Sequence, residues 1–160
     1  MSLTVVCAGK LKEKAYRTLA DEYLKRLNRY GKAEEAEVPD LPEPAGALSA
    51  AEETKLKARE GESLLKRIRP GDYVIALTVT GRETTSEGLA EKIRGLRVRG
   101  DGRIVFVIGG SLGLGPNVLS RADEELSMGP MTFPHQLARV MLLEQLYRAE
   151  KILAGERYHK

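Results

Sequence analysis

Apolar positions along the chain follow two rhythms that alternate from one end to the other. Leu3 to Ala8 is a continuous apolar, β-branched run stopped by Gly9, which predicts a strand. Tyr16, Leu19, Ala20, Tyr23, Leu24 and Leu27 then recur at helical spacing between charged residues, so an amphipathic helix follows and ends at Gly31. Ala33 to Val38 predicts a second strand before Pro39, Pro42, Pro44 and Gly46 enforce a loop. Ser49 and Glu52 match a capping box, opening a helix to about Arg67 that Gly61 weakens. After the Pro70-Gly71 turn, Tyr73 to Val79 is apolar on both faces, the habit of a central parallel strand. Thr84 and Glu87 predict another capped helix, ending by Gly95, with Arg94, Arg97, Arg99 and Arg103 crowding the turn beyond it. Ile104 to Ile108 is the next apolar strand. Pro116 opens a short helix through Ala122, since proline suits a first helical turn. Leu126 to Met128 predicts a last short strand. A final helix starts near Pro134, buries Leu137, Val140, Met141 and Tyr147, and ends before Gly155. Strands alternating with helices imply an α/β fold with a mainly parallel sheet flanked by helices.

Composition narrows the class. At 160 residues the chain suits one domain, and 42% hydrophobic with 31% charged residues is too apolar for disorder. The longest apolar runs are far short of the roughly 20 residues that cross a bilayer. The first residues contain no basic leader or signal h-region, so a cytoplasmic protein is expected, with no membrane partner. Cys7 has no second cysteine to pair with, and two histidines make a zinc site improbable, so no metal is expected. The net charge of +3 is a weak pointer to an anionic partner, but its distribution is uneven. Residues 73 to 100 carry five basic and three acidic groups, residues 101 to 133 two and four, and the tail from 134 five and three. Any nucleic-acid surface would therefore be local.

Three segments are candidates for chemistry. The first is the glycine-rich stretch 109 to 116, at the carboxyl end of an expected parallel strand, where α/β folds bind ligands. Gly110 and Gly115 have P-loop spacing, but Pro116 stands where the lysine belongs; a dinucleotide fingerprint through Gly113 and Gly115 fails at Val118. The glycines either serve a tight turn or let a flat ligand approach the backbone. The second segment is Met128 to Gln136, too rich in Gly and Pro for a regular element and too apolar for a solvated loop. It is either a buried crossover or the wall of a pocket in which Met131 and Phe133 pack a base. In the helix that follows, His135 and Arg139 share a face, as do Glu144 and Arg148, the latter pair reading as a surface ion pair. The third is the tail, where Arg157, Tyr158 and His159 combine a phosphate-binding cation, a stacking face and a group that transfers protons near neutrality.

Taken in order, Ala-Gly-Lys-Leu-Lys-Glu (8 to 13), Phe-Val-Ile-Gly-Gly-Ser with the following Gly-Leu (106 to 114), Met-Thr-Phe-Pro-His-Gln (131 to 136), Glu-Gln-Leu-Tyr-Arg-Ala (144 to 149) and Tyr-His-Lys (158 to 160) resemble the ribosomal large-subunit RNA methyltransferase H family. The resemblance spans essentially the whole chain. It implies a single SPOUT-type domain over 1 to 160, with a C-terminal deep trefoil knot from roughly residue 72. It implies a homodimer that uses S-adenosyl-L-methionine to methylate N3 of a pseudouridine in a stem-loop of large-subunit ribosomal RNA, on the ribosome. By motif, cofactor contacts would fall on Leu77, Gly109, Gly110, Met128, Gly129, Pro130, Met131, Thr132 and Phe133. Gly129-Pro130 stands where small or polar residues would be usual, so backbone contacts are expected there. An imide nitrogen attacks only once its proton leaves, which calls for a base or a stabilising cation. His159 is the candidate base or orienter, Tyr158 shapes the base pocket, Arg139 stabilises an anion or phosphate, and His135 organises the loop. Arg94, Arg97, Arg99, Arg103 and Arg157 are candidate RNA contacts, against the plainer reading of a solvated turn. The alternatives are a SPOUT methyltransferase for another RNA and a ribosome-associated factor without chemistry.

Overall fold

The computed structural model describes residues 2–42, 44–100 and 102–160. Strands β1 (Leu3–Ala8), β2 (Ala33–Val38), β3 (Tyr73–Glu83), β4 (Ile104–Ile108) and β5 (Glu124–Ser127) form one sheet in the order β2-β1-β4-β3-β5. Every pairing is parallel. The central strands β1 and β4 are buried along their whole length, which is why they read as unbroken apolar runs.

Alternate residues face opposite layers, as the pleat requires. Leu3, Val5 and Cys7 join Ile75, Ile104, Phe106 and Ile108 under helices α1 (Lys14–Leu27), α3 (Ser86–Arg99) and α5 (His135–Leu153). Val6, Ala8, Val74, Val105 and Val107 form a smaller core on the other face, against α2 (Ala50–Leu65) and α4 (Pro116–Arg121). Burial pushes the Cys7 thiol up, so it is held as an inert core group.

Local signals set most boundaries. Ser49 accepts from the Glu52 amide while the Glu52 carboxylate accepts from the Ser49 amide at 2.9 Å, completing the anticipated capping box. The expected Thr84/Glu87 box is displaced: Thr85 is the N-cap, its hydroxyl accepting from the Gly88 amide at 3.0 Å. Helix α3 also runs through Gly95 and stops at Gly100, whose φ of 77° only glycine adopts readily. Arg94, Arg97 and Arg99 are consequently helical residues, not turn residues. In α1, Leu19 is 47% exposed although it belongs to the apolar spacing. In α5, Leu142, Leu143 and Leu146 form the buried stripe, while Leu137 and Met141 are only half-buried. Strand β3 continues past Val79 to Glu83, and its register with β5 jumps between Leu77 and Arg82.

Candidate active site at the carboxyl edge

Because all strands point the same way, the loops that follow them gather along one edge of the sheet. Pairing of Ala76 with Val107, and of Leu77 with Leu126, sets Leu77, midway along β3, level with Gly109 and Met128, which follow the last residues of the neighbouring strands β4 and β5. The strands thus bring together three segments that are 32 and 19 residues apart in sequence.

The loop after β4 closes on itself. Gly113 donates to the Gly110 carbonyl at 3.0 Å, and a Cβ added at Gly109 would lie 2.7 Å from the Gly113 carbonyl carbon. The Gly110 amide is already engaged: it donates to Glu60 at 3.0 Å, and the Leu41 amide reaches the same carboxylate at 3.4 Å. Glu60 is buried on α2 and escaped sequence reasoning, since its partners lie 50 and 19 residues away. A carboxylate on this amide stands where a phosphate would sit in a nucleotide cradle, a physical reason for both failed phosphate motifs.

The loop after β5 is organised by Ser127, which is buried. Its hydroxyl lies 3.1 Å from the Val79 carbonyl oxygen and 3.0 Å from that of Gly129, and accepts from the Gly129 amide at 3.1 Å. Gly129 has a φ of 124°, which a side chain would strain. Beside it opens a cavity of about 230 Å³ between α3 and α5. Leu89, Leu126, Met128 and Leu142 supply apolar wall, and Ser86 and Gln145, joined by a 2.6 Å hydrogen bond, supply polar groups. Met128 and Gly129 line this cavity; Leu77, Gly109 and Gly110 lie along the same edge without lining it. Pro130, Met131 and Thr132 are exposed, Met131 at 69%, and Phe133 is half-buried.

The tail docks on its own chain. Tyr158 packs edge-on against Tyr147 with centroids 4.9 Å apart, lies under the Arg148 guanidinium at 4.7 Å, and donates to Glu144 at 3.0 Å. Burial and the Glu144 carboxylate push its phenol up to about 12. His159 contacts Arg148 through Nδ1 at 3.4 Å and Glu87 through Nε2 at 2.7 Å. A guanidinium only donates and a carboxylate only accepts, which assigns the lone pair to Nδ1 and the proton to Nε2. The Glu144 and Arg148 pair is therefore more than a surface contact: it is the platform for the tail.

Arg139 does not serve as expected. Its side chain is fully buried, donating to Glu37 at 2.7 Å and to the Gly9 carbonyl at 2.7 Å, with Glu35 at 3.5 Å. Arg17 of α1 binds the same two glutamates from the other side. An arginine so enclosed is unavailable to an RNA phosphate; it anchors α5 to the edge strand β2. His135 occupies the first turn of α5, half-buried. Among the candidate RNA contacts, Arg97 is pinned to buried Glu150 and Arg103 makes paired bonds to Asp72 at 3.1 and 2.7 Å. Arg94 pairs with Glu91, Arg99 lies over the Tyr73 ring at 5.2 Å, and Arg157 is exposed in the tail.

An all-parallel α/β sheet with closed glycine and Ser127-anchored loops converging at one edge belongs to the class of folds that bind ligands at that edge, and comparison with known proteins identifies the family. The family model described as predicted SPOUT methyltransferase matches residues 1–159. Two solved structures share the fold: a probable methylase family protein from Haemophilus influenzae Rd KW20 (TM-score 0.55, 17% identity, 99% of this chain and 70% of that one) and a probable methyltransferase from Bordetella pertussis Tohama I (0.51, 15%, 93% of each). The chain is 52% identical over 160 residues to the ribosomal RNA large subunit methyltransferase H of Alkaliphilus oremlandii and 46% to that of Ruminiclostridium cellulolyticum, with both chains covered completely in each case. The chain belongs to the ribosomal RNA large subunit methyltransferase H family of SPOUT methyltransferases.

Proposed function

We propose that this chain transfers a methyl group from S-adenosyl-L-methionine to N3 of a pseudouridine in a stem-loop of large-subunit ribosomal RNA, acting in the cytoplasm on the assembled ribosome. The observation that carries the reading is the full-length relationship to ribosomal RNA large subunit methyltransferase H proteins, with Leu77, Gly109 and Met128 at one level on adjacent strands. The residues present suit that cofactor, which has no phosphate for Glu60 to repel and offers a flat base for an apolar cavity. Leu77, Gly109, Gly110 and Met128 to Phe133 would hold it, the last group chiefly through backbone, since Met131 points its side chain to solvent. In this reading the segment from roughly residue 72 forms a deep trefoil knot.

When bound, the cofactor supplies an already activated methyl group. The chain's task is then to hold the acceptor nitrogen in line and manage its proton. His159 is the group suited to the proton, but its Nδ1 lone pair faces Arg148 and its Nε2–H is held by Glu87. A base role requires the tail to leave this docked position. In the proposed homodimer, one subunit holds the cofactor and the other contributes Tyr158 and His159 to a composite site. His135, at the mouth of the Met128 to Phe133 loop, orients that loop. Arg94, Arg99 and Arg157 are the candidate RNA contacts that remain exposed, whereas Arg97 and Arg103 are partly buried.

Calorimetry with S-adenosylmethionine and its demethylated product tests the reading. An enzyme binds both; absence of heat with either would favour a ribosome-associated factor without chemistry.

A further inference from the structure

A second concavity lies at the opposite, amino-terminal edge of the sheet. It is an open cleft of about 830 Å³, lined by Lys32, Arg69, Arg97 and Arg103 with Asp72 as the one carboxylate among the described lining residues, and Gly31 and Gly102 leave backbone bare in its wall. A Cβ at Gly31 would meet nothing within 4 Å, so the cleft is open there. Three of these cations have acid partners: Arg97 with Glu150, Arg103 with Asp72, and Lys32 with Glu34 at 3.1 Å, yet the side chains of Arg97 and Lys32 stay 30% and 69% exposed. The Glu150 pair fixes the Arg97 guanidinium and leaves part of it open, whereas Arg103, 14% exposed, belongs to the cleft wall.

Arg69 is different. Its side chain is exposed and no acid engages it among the described residues, yet its backbone is clamped on both sides. Its amide donates to Asp72 at 2.7 Å, and its carbonyl accepts from Arg121 at 3.4 Å. The carbonyl of neighbouring Arg67 accepts from Arg103 at 2.9 Å, and the Arg67 side chain is also exposed. A rigid segment therefore presents unmatched guanidinium charge at the rim. Fixed, planar donors with bare backbone beside them suit a phosphodiester more than a flexible acidic side chain.

We propose that this amino-edge cleft is a second RNA-binding site, one that grips backbone phosphates remote from the methyl-transfer edge, with Arg69 and Lys32 as its ligand-facing cations. It rests on the reading of RNA as substrate. Strands of about six residues separate the two edges by roughly 20 Å, a span within one structured RNA. The cleft recognises no sequence and docks the molecule that the other edge modifies.

The test measures anisotropy of a fluorescent 20-nucleotide RNA hairpin against salt, for the wild type, for Arg69→Glu with Lys32→Glu, and for Lys55→Glu with Arg59→Glu on exposed α2 as an equal charge change elsewhere. The cleft variant is expected to bind at least tenfold more weakly with a salt slope about two units shallower, the α2 variant to keep the wild-type slope, and all three to melt alike. Equal losses in both variants, an unchanged slope in the cleft variant, no hairpin binding by the wild type, or equal binding of poly-L-glutamate would overturn the proposal. S-adenosylmethionine calorimetry on the same three proteins separates this failure from failure of the methyltransferase reading, because the cleft variant should bind the cofactor as the wild type does.

Discussion

Nε2 of His159 donates to Oε1 of Glu87 across 2.7 Å, tying the end of the chain to the first turn of α3. Together with the Tyr158 bond to Glu144, this makes Tyr158 and His159 a docked, not frayed, pair. Deleting Tyr158 to Lys160 should abolish methyl transfer and change cofactor affinity by no more than about twofold, since none of the three lines the cavity beside Met128. Comparable loss in calorimetric affinity would reject the division between cofactor-holding and tail-donating subunits.

Arg139 and Glu37 make the opposite kind of contact, one that serves the fold. Arg139→Met would leave Glu35 and Glu37 with only Arg17 as a cation, and breaking a buried pair typically costs about 3–5 kcal/mol. Urea denaturation should show a lower midpoint at unchanged slope, the product of the midpoint shift and the slope giving a loss of that size. A variant as stable as the wild type would mean that Arg17 alone satisfies both carboxylates.

Glu60 buttresses the glycine loop from the far side of the sheet. Glu60→Ala leaves the Gly110 and Leu41 amides without their acceptor, a loss of about 1–3 kcal/mol for a buried donor. Cofactor affinity should fall about tenfold. Glu60→Gln, which retains an acceptor oxygen, should recover most of it. If both variants bind like the wild type, the loop holds its shape without this carboxylate.

Tyr158 carries a pH signature. Burial first, and the Glu144 carboxylate second, raise its folded pKa from 10.0 to about 12. The folded state therefore retains a proton that the unfolded chain loses, and the stabilisation is complete below pH 10 and lost as pH rises toward 12. Ultraviolet titration should show Tyr158 ionising late, and Glu144→Gln should shift that step to lower pH. An unshifted titration would contradict the docked tail.

The elements were legible where local chemistry decides them. The apolar runs of β1 and β4 and the Ser49/Glu52 box announce themselves within six residues. The Thr84 for Thr85 displacement is a one-residue competition between adjacent hydroxyls, and α3 passes Gly95 because Leu96 continues its buried stripe on the far side. What stayed hidden rests on distance in sequence. Arg139 meets Glu37 and Gly9 from 102 and 130 residues away, and Glu60 meets Gly110 from 50. A charged side chain at helical spacing looks solvated until the sheet order places an acidic edge strand beside it. For the same reason Arg97 and Arg103 read as free cations, while Lys32 and Arg69, which share their cleft, drew no notice.

The central claim is tested most directly by mass spectrometry of large-subunit ribosomal RNA from cells lacking this chain, beside the same cells with it restored. The account predicts that one pseudouridine loses a methyl group and regains it on complementation. An identical modification pattern in both would contradict it.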